Sequence, residues 1–502
     1  MILPLPQSAD DAERVALPRD VLRVAAGGMD VRAVADLVSR AFGIRLIADE
    51  DAPHVVLERG AVTAPTPVGA EPRPMPAAAE PEAYEIRVAG ERLVVTGAGD
   101  EAFFRALVTV ATLTAHGRPV PRIGDHPRFS WRGLSLDIVR RWYPVEEIRR
   151  IVDLLALHKL NVLHLHLTDS QAWRFAVPGY DALTPDDAHL TGEELSGLVA
   201  YARERHVTVV PELDLPGHVA ETVSAAGVDV VTGPHPVLRY VEWGAEGVAD
   251  LVRAALAELA SRCDSPYLHI GGDEAFGDPH ESYNAFVVEA VAAVRALGRR
   301  VVGWQETSRS GALTPQDLGQ LWIAERDRFD PVKARDEMPE AYHPFIPLLA
   351  ETFAESVGDA VRLGAAGIPT IVSSSDPLYL DRKPVESSVD PAQTKLLERL
   401  GFPNYERTSS TDVLRWEPTA QDDIVAAGIR VAGVEAALWA ETITSLDDAA
   451  TLLLPRLAFV AQRAWGAERV DEAVATAAAR AYSDAWTRLG FGSFYRSAEV
   501  FS

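Results

Sequence analysis

Eight short apolar runs, rich in β-branched residues, alternate with helical patterns between residues 134 and 438. Such alternation is typical of a parallel sheet whose strands are joined by crossover helices. A count of eight predicts an α/β fold in which the sheet closes into a (β/α)8 TIM barrel. The runs are Leu134–Ile138, Val162–Leu167, Val207–Leu213, Tyr267–Ile270, Arg300–Trp304, Gln320–Ile323, Pro369–Ser373 and Val431–Leu438.

The segments between the runs carry helical signals. Pro144 stands where a first helical residue would, and apolar residues follow it at helical spacing. Glu193–His206 and Val248–Cys263 repeat the pattern. Residues 324–368 make an unusually long sixth crossover, which we expect to be helical in part and to which the sequence assigns no role.

A smaller region precedes the barrel. The elements predicted there are a helix over Asp30–Phe42, paired strands over Tyr84–Val88 and Arg92–Thr96, and a helix over Glu101–His116. Residues 61–82 are rich in Ala, Pro and Glu and predict an extended loop. We therefore expect a small α+β domain over residues 1–127 and a barrel domain with C-terminal helices over residues 128–502, with the boundary near Asp125–Ser130.

Charge and cysteine content narrow the partners. A formal net charge of -25 disfavours nucleic acid and anionic membrane surfaces and fits a neutral substrate. No apolar run is long enough to span a bilayer. Cys263 is the only cysteine, and Met1–Asp10 has neither a basic start nor an apolar core, so we expect a cytoplasmic location. The sequence does not indicate an oligomeric state.

Two adjacent acids, Asp273 and Glu274, follow the predicted strand Tyr267–Ile270. Gly271 and Gly272 allow a tight turn that projects both acids into one cleft. Like charges this close cannot both ionise freely, so one pKa should rise enough to provide a proton donor at neutral pH. The alternative interpretation is a helix N-cap with an acid in the first helical turn.

Aromatic and polar residues follow other predicted strands. Trp304, Trp322 and Trp439 end the fifth, sixth and eighth runs, so three indoles should meet at the carboxyl end of the barrel. Together they could wall a small pocket for a methyl-bearing group, although any one alone fits a core position. Oriented donors and acceptors for hydroxyl groups are predicted at Arg140, Asp169, Tyr379 and Asp381.

The combined motifs resemble glycoside hydrolase family 20, the β-N-acetylhexosaminidases. The resemblance runs from about residue 128 to residue 466 in the family's order. The segment Tyr84–Leu113 resembles, more weakly, the small domain that precedes the barrel in that family. The motifs are Arg132-Gly-Leu-Ser-Leu-Asp-Ile-Val-Arg140, Lys159-Leu-Asn-Val-Leu-His-Leu-His-Leu-Thr-Asp169 continuing to Gln171, Trp173 and Arg174, Pro211-Glu-Leu-Asp-Leu-Pro-Gly-His218, Gly271-Gly-Asp-Glu274, Trp304, Trp322, Tyr379-Leu-Asp381 and Gly433-Val-Glu-Ala-Ala-Leu-Trp-Ala-Glu441.

The resemblance implies an exo-acting, retaining hydrolase that needs no metal or cofactor. Glu274 matches the general acid and base. Asp273 matches the residue that holds the substrate's 2-acetamido group, and Tyr379 matches the hydroxyl that orients its oxygen. That oxygen attacks the anomeric carbon of the sugar and forms an oxazolinium ion. No enzyme carboxylate acts as the nucleophile. Trp304, Trp322 and Trp439 match the walls around the acetamido methyl.

The remaining matches concern the rest of the sugar. Arg140, Asp381 and Glu441 match contacts to the non-reducing-end hydroxyls, and Asp214 and His218 match a pair behind the acid. The expected substrate is a small molecule or oligosaccharide with terminal, non-reducing β-linked GlcNAc, with GalNAc and the aglycone left open. The sequence departs from the family at four positions. Ser170 replaces a second acid, Ala172 a Gly, and Gln305 an acid that follows the fifth-strand Trp; these three bear on aglycone preference. Gln462 replaces a Glu and is interpreted as structural.

Two alternatives stay open. His164 and His166 could ligate zinc together with His218, His269 and Asp273, as in metal-dependent amidohydrolases on the same barrel. That class would place its H-x-H pair after the first strand, so we favour a hydrogen-bonded core for both histidines. The second alternative is a sugar-binding relative without catalysis, but binding alone does not require the combination of two acids and a tyrosine found here.

Overall fold

A computed structural model describes residues 2–74, 81–184, 186–232, 239–323, 329–338, 340–403 and 405–502. The N-terminal region is a seven-stranded mixed sheet with two helices, Arg32–Phe42 and Asp100–Ala115. The second helix is buried on nearly every face because it lies between the sheet and the barrel. In sheet order the strands are Ser8–Val15, Val120–Asp125, Tyr84–Ala89, Arg92–Gly97, Val55–Arg59, Val21–Ala25 and Arg45–Ala48.

Eight parallel strands then form a closed barrel, as the sequence predicts. The last strand pairs with the first, Gly433 lying opposite Trp131. Almost every strand residue is buried, because side chains fill the interior and helices cover the outside. The strands are Trp131–Asp137, Val162–His166, Thr208–Glu212, Tyr267–His269, Arg300–Trp304, Leu318–Leu321, Thr370–Val372 and Val431–Leu438.

Helices cover the barrel. Thr191 forms a capping box with Glu194 at the start of one of them. The helices are Val145–Leu157, Gly192–Arg203, Ala220–Ala225, Val248–Arg262, His280–Ala296, Pro331–Glu337, Ile346–Ala365, Ser375–Leu378, Pro391–Leu396, Asp412–Arg415, Asp422–Ala426, Leu446–Leu453, Arg456–Trp465, Glu472–Ala481, Ser483–Arg488 and Ala498–Phe501, with 3-10 turns at Asp181–Leu183, Gln305–Ser310 and Glu340–Phe345. Two small hairpins pair Thr168–Asp169 with Ala172–Trp173 and Val231–Thr232 with Arg239–Tyr240.

The long sixth crossover is helical in part, as predicted, although residues 324–328 and 339 lie outside the described ranges. No helix in the described ranges combines the length and apolarity needed to cross a membrane.

A short strap from the predicted loop runs under the amino end of the barrel. Ser130 N donates to Val68 O at 2.8 Å, and Ala70 N donates to Ala432 O at 2.9 Å. Between them, a Cβ atom on Gly69 would lie 1.8 Å from the Ala432 carbonyl oxygen, so only glycine fits. The described part of residues 61–82 is extended, as expected, while residues 75–80 of that prediction lie outside the described ranges.

Buried charges also join the two regions, in what we call the interdomain ion cluster: Arg73, Glu82, Glu101, Arg105 and Arg132. Arg132 Nη2 lies 2.6 Å from Glu82 Oε2, and Arg105 Nη2 lies 2.8 Å from Glu101 Oε1. No member is more than 8% exposed. Burial raises the pKa of Glu101, but Arg73 and Arg105 lower it by more, so the net shift is downward.

The predicted division at residue 127 falls between the last sheet strand and the first barrel strand, and it stays a prediction about folding units.

Candidate active site

Every predicted site residue lies at or just beyond the carboxyl end of a barrel strand, and contacts link them into one cluster. Parallel strands in a closed barrel bring all eight carboxyl ends to one face. His218 lies within 4.0 Å of Asp169, Asp214, Asp273 and Glu274. The rest of the cluster is Arg140, Trp304, Trp322, Tyr379, Asp381, Trp439 and Glu441.

The turn that carries Asp273 and Glu274 has no room for side chains at its glycines. A Cβ atom on Gly271, which has a φ of 65°, would lie 1.7 Å from Asp214 Oδ1. A Cβ atom on Gly272, at φ 100°, would lie 2.4 Å from the Thr307 side chain. Glu274 itself adopts a left-handed φ of 48°. The next helix begins only at His280, so the alternative interpretation of these acids as a helix N-cap is wrong.

Asp273 is the more buried member of the acid pair, with a side chain that is 14% exposed. Burial, followed by the nearby Asp214 carboxyl, raises the pKa of Asp273 well above its usual range, although His218 opposes the shift. Within the described part of the chain, Asp273 Oδ1 is buried without a hydrogen-bond partner. The Glu274 side chain is 36% exposed at the mouth of the cleft. The residue with the raised pKa is therefore Asp273, whereas the family resemblance gives proton donation to Glu274.

The hydrogen-bond partner of His218 is Asp169, whereas the residue that the resemblance pairs with His218 is Asp214. His218 Nδ1 is hydrogen-bonded to Asp169 Oδ2 at 3.1 Å, while Nε2 lies 4.0 Å from Asp214 Oδ2. Asp214 instead accepts a hydrogen bond from Gly272 N at 3.0 Å and so supports the glycine turn. Burial lowers the pKa of His218, but Asp169, Asp214 and Asp273 together raise it well above its usual value. An imidazolium therefore lies 3.6 Å from Glu274 Oε2.

Asp169 is a buried anchor, which the sequence did not indicate. Its Oδ2 atom lies 2.5 Å from Arg140 Nη2 and 3.0 Å from His166 Nε2, in addition to its bond with His218. Burial raises the pKa of Asp169, but His218 and Arg140 outweigh burial and hold it well below its usual range. Its predicted contact with substrate hydroxyls stays a prediction, since this carboxylate already binds three cationic groups.

The aromatic residues form one continuous wall. Trp304 and Trp439 have ring centroids 6.1 Å apart, and Tyr379 contacts Trp439 edge-on at 5.7 Å. Trp322 is parallel to Tyr379 within 4°, at 6.4 Å. Except for the half-buried Trp439, these rings are almost fully buried. Offset and edge-on ring packing of this kind gives a rigid apolar pocket.

Polar groups beside this wall include atoms that make no hydrogen bond within the described residues. Both oxygens of Asp381 are buried and lack hydrogen-bond partners among the described residues. Burial and the neighbouring Glu441 raise the pKa of Asp381 to about 8. Arg140 donates to Asp137 Oδ2 at 3.1 Å, and its guanidinium carbon lies 5.6 Å from the Trp439 ring centre. Such groups can exchange hydrogen bonds with the hydroxyls of a bound sugar.

Three supporting acids were missed by the sequence analysis. Glu212 accepts from the Trp304 indole at 2.8 Å and lies 2.5 Å from His166 Nδ1. Asp137 holds Arg140, and Glu306 accepts from the Trp322 indole. Glu212 and Asp137 are the last residues of two barrel strands, and a charged residue buried there is itself a signal of a buried partner.

The histidines proposed as metal ligands are bound to carboxylates. His164 Nδ1 lies 2.8 Å from Glu435 Oε1, and although burial lowers its pKa, Glu212 and Glu435 raise it to about 9. A protonated imidazole offers no lone pair to a metal. These contacts favour the hydrogen-bonded core, although ligand atoms of His164, Glu212 and His269 lie within 4.8 Å of one another. The absence of a metal stays a prediction.

Comparison with known proteins agrees with this site. The profile described as "Glycosyl hydrolase family 20, catalytic domain" matches residues 129–337 and 351–468. A β-N-acetylhexosaminidase of Cellulomonas fimi is 33% identical over 442 residues, which are 82% of this chain and 79% of that protein. A β-hexosaminidase of Akkermansia muciniphila is 26% identical over 76% of this chain and 79% of its own length.

Solved structures superpose over nearly the whole chain. The β-N-acetylhexosaminidase of Streptomyces coelicolor A3(2) has a TM-score of 0.77 at 25% identity, covering 99% of this chain and 98% of its own. A mutant β-hexosaminidase of Streptomyces plicatus, solved with its product GlcNAc, has the same TM-score and identity and covers 99% of this chain and 97% of its own.

Proposed function

The chain belongs to glycosyl hydrolase family 20 and is a β-N-acetylhexosaminidase, and we propose that it removes terminal, non-reducing β-linked GlcNAc with retained configuration. The observation that carries the proposal is the environment of Asp273. Its Oδ1 atom is buried without a hydrogen-bond partner among the described residues, beside an aromatic pocket. A buried polar atom without a partner is costly, so it marks a place where a ligand group supplies the missing hydrogen bond.

The proposed first step uses the substrate's own acetamido group. The acetamido oxygen attacks the anomeric carbon while the bond to the leaving oxygen breaks, and Glu274 gives that oxygen its proton. The resulting oxazolinium ion is positively charged. Asp273 accepts the acetamido N–H and, when ionised, stabilises that charge; the approach of a cation lowers the pKa that burial has raised.

The second step regenerates the enzyme. Glu274, now a carboxylate, takes a proton from water as the water attacks the anomeric carbon and the ring of the oxazolinium opens. Two inversions at one carbon give net retention.

The remaining side chains position the sugar. Tyr379 would orient the acetamido oxygen, and Trp304, Trp322 and Trp439 would enclose the methyl group. Arg140, Asp381 and Glu441 would bind the hydroxyls of the terminal residue, which makes the enzyme exo-acting. GalNAc differs only at the 4-hydroxyl and is the second candidate substrate.

The deciding experiment compares aryl β-N-acetylglucosaminide, β-N-acetylgalactosaminide and β-glucoside substrates that share one leaving group. We expect turnover of the N-acetyl substrates, with retained configuration by NMR, and essentially none of the glucoside, which lacks the attacking oxygen. A thiazoline analogue of the cyclised intermediate should inhibit strongly. Equal turnover of glucoside and N-acetylglucosaminide, or an inverted product, would overturn the substrate-assisted mechanism.

Two expectations about context accompany the proposal. We propose a cytoplasmic location, supported by the single buried cysteine, which cell fractionation would test. The strongly acidic composition supports a protein that binds neither nucleic acid nor anionic membranes. Binding assays with DNA and with phosphatidylserine vesicles would test both.

A further inference from the structure

Two consecutive side chains, Gln305 and Glu306, hold Trp322 at its backbone and at its ring. Gln305 Oε1 accepts hydrogen bonds from the backbone N–H groups of Trp322 and Ile323, each at 3.0 Å. The Glu306 carboxyl accepts from the Trp322 indole nitrogen, at 3.1 Å to Oε1 and 3.2 Å to Oε2. Gln305 is fully buried and Glu306 almost so. Both come from the 3-10 turn that follows the fifth barrel strand, whereas Trp322 follows the sixth.

Apolar contacts alone do not fix the orientation of this indole. Trp322 stacks on Tyr379 at 6.4 Å, and Phe353 packs against it edge-on at 6.3 Å. Stacking on a ring face does not depend on which edge of the indole carries the nitrogen, so these ring contacts do not by themselves select the edge that faces Glu306. Turning the ring over would move the indole nitrogen to the opposite edge and lose its bond to Glu306. The single polar atom of the ring therefore selects one orientation.

We propose that Glu306, assisted by Gln305, is a positioning residue that fixes the Trp322 indole and thereby sets the size of the N-acyl group that the pocket accepts. The inference rests on the proposed function, in which Trp322 encloses the acetamido methyl. It also gives Gln305, a departure from the family's usual acid, a defined contact in this chain.

The electrostatic surroundings indicate which replacement should rescue the bond. Burial and then the Asp273 and Asp359 carboxyls raise the pKa of Glu306 well above its usual range, against the attraction of Arg309. Arg309 is itself bound to Asp359 through two hydrogen bonds of 2.8 and 2.7 Å. The side-chain oxygen of glutamine accepts a hydrogen bond as a carboxyl oxygen does, at nearly the same position. Glutamine should therefore replace Glu306 with little loss, whereas leucine should not.

The test compares N-acetyl and N-propionyl aryl β-glucosaminides as substrates of Glu306→Gln and Glu306→Leu. For Glu306→Leu we expect kcat for the N-acetyl substrate to fall about 10- to 100-fold with little change in KM, because a displaced wall misplaces the attacking oxygen. The ratio of kcat/KM for N-propionyl over N-acetyl substrate should rise about 10-fold. Glu306→Gln should stay within about 5-fold of wild type in both quantities.

An isosteric change on the ring isolates the hydrogen bond. Benzothienylalanine at position 322 keeps the bicyclic shape of tryptophan and replaces the N–H with sulfur. It should relax the same substrate ratio, and Glu306→Leu should add nothing further in that background, because both changes remove one interaction. Glu355→Gln is the matched control: it disturbs the ion pair to Arg309 at 2.9 Å without touching the indole, and should leave the ratio unchanged.

The outcomes separate this inference from the proposed function. An unchanged ratio in folded Glu306→Leu, or in the benzothienylalanine protein if Glu306→Leu fails to fold, would overturn the positioning role while leaving the function intact. A relaxed ratio in Glu355→Gln would also overturn it, by pointing to general loosening. Failure of the wild type to discriminate N-acetylglucosaminide from glucoside would remove the proposed function instead.

Discussion

The interdomain ion cluster and the candidate active site are both groups of buried charges, but their balance differs. Each carboxylate of the interdomain cluster contacts at least one guanidinium, and Arg73 and Arg105 hold the pKa of Glu101 below its usual value. In the active site, Asp273 and Asp381 keep buried oxygens without hydrogen-bond partners in the described structure, and burial raises the pKa of both.

The difference indicates what each region contributes. A buried ion pair is costly to break, because removing one partner leaves the other charge buried without compensation. A buried acid without a partner destabilises the empty protein and is satisfied only when a substrate arrives. The two regions should therefore respond in opposite ways to substitution: the interdomain cluster through stability, and the site through activity.

The largest effect should follow Glu274→Gln. Loss of the proton donor should lower kcat for a disaccharide by about 10²- to 10⁴-fold, because a sugar leaving group needs protonation. For a substrate with an activated aryl leaving group, kcat should fall less. The melting temperature should stay at the wild-type value, since the Glu274 side chain is 36% exposed and the replacement keeps its size. Wild-type hydrolysis of the disaccharide would contradict the assignment of the acid.

The next effect should follow Arg132→Leu in the interdomain ion cluster. This guanidinium is fully buried and bonds Glu82 Oε2 at 2.6 Å and Phe129 O at 2.7 Å. Removing it leaves Glu82 and the carbonyl buried without these donors, which should lower the free energy of unfolding by about 3 to 5 kcal/mol. Urea unfolding measures the loss. The number of intact active sites is counted by titration with the thiazoline, and kcat per intact site should equal the wild-type value. A lower kcat would show that the two regions are coupled.

The smallest effect, with the opposite sign, should follow Asp381→Asn. Burial and then Glu441 raise the pKa of Asp381 from its ordinary value of 3.8 to about 8 in the folded protein. The folded state therefore holds a proton that the unfolded chain releases, and wild-type stability falls as pH rises from about 4 to 8. Asparagine removes this penalty, so in urea unfolding the variant should be more stable by about 1 to 2 kcal/mol at pH 5 and equal to wild type below about pH 3.

Two measurements sharpen this prediction. Activity of Asp381→Asn should fall at every pH, since the proposed hydroxyl contact is weakened. Glu101→Gln in the interdomain cluster should lose stability at neutral pH, and the loss should shrink as pH falls, because the pKa of Glu101 is lowered on folding. Matching pH trends in Asp381→Asn and Glu101→Gln would contradict the proposed contrast.

The barrel could be predicted from the sequence because its strands are buried on both faces and therefore appear as continuous apolar runs. The first strand begins three residues earlier than predicted, at Trp131, whose indole bonds Glu435 across the barrel interior at 2.7 Å. That partner lies 304 residues away in sequence, so no local pattern reports it. In the N-terminal sheet, Ser8–Val15 has seven exposed residues out of eight. An edge strand of this kind has no apolar alternation to reveal it.

The residues of the site were easier to predict than their partners. The strand-end positions of Asp273, Trp304 and Trp322 follow from the barrel pattern. The hydrogen-bond partner of His218 does not, because Asp214 is four positions away and Asp169 forty-nine, and only the curvature of the barrel makes the distant one nearer. Glu306 was overlooked for the same reason, since its indole donor follows a different strand.

The strap beneath the barrel limits which domains can be exchanged by recombination. Gly69 lies where any side chain would overlap the Ala432 carbonyl oxygen, and Ala70 N donates to that same oxygen. A recombination event that exchanged the N-terminal domain for an unrelated one would strip the barrel floor of this bond and expose it to water. In related proteins we therefore expect additional domains to be joined at the termini, and the N-terminal sheet and the barrel to be retained together.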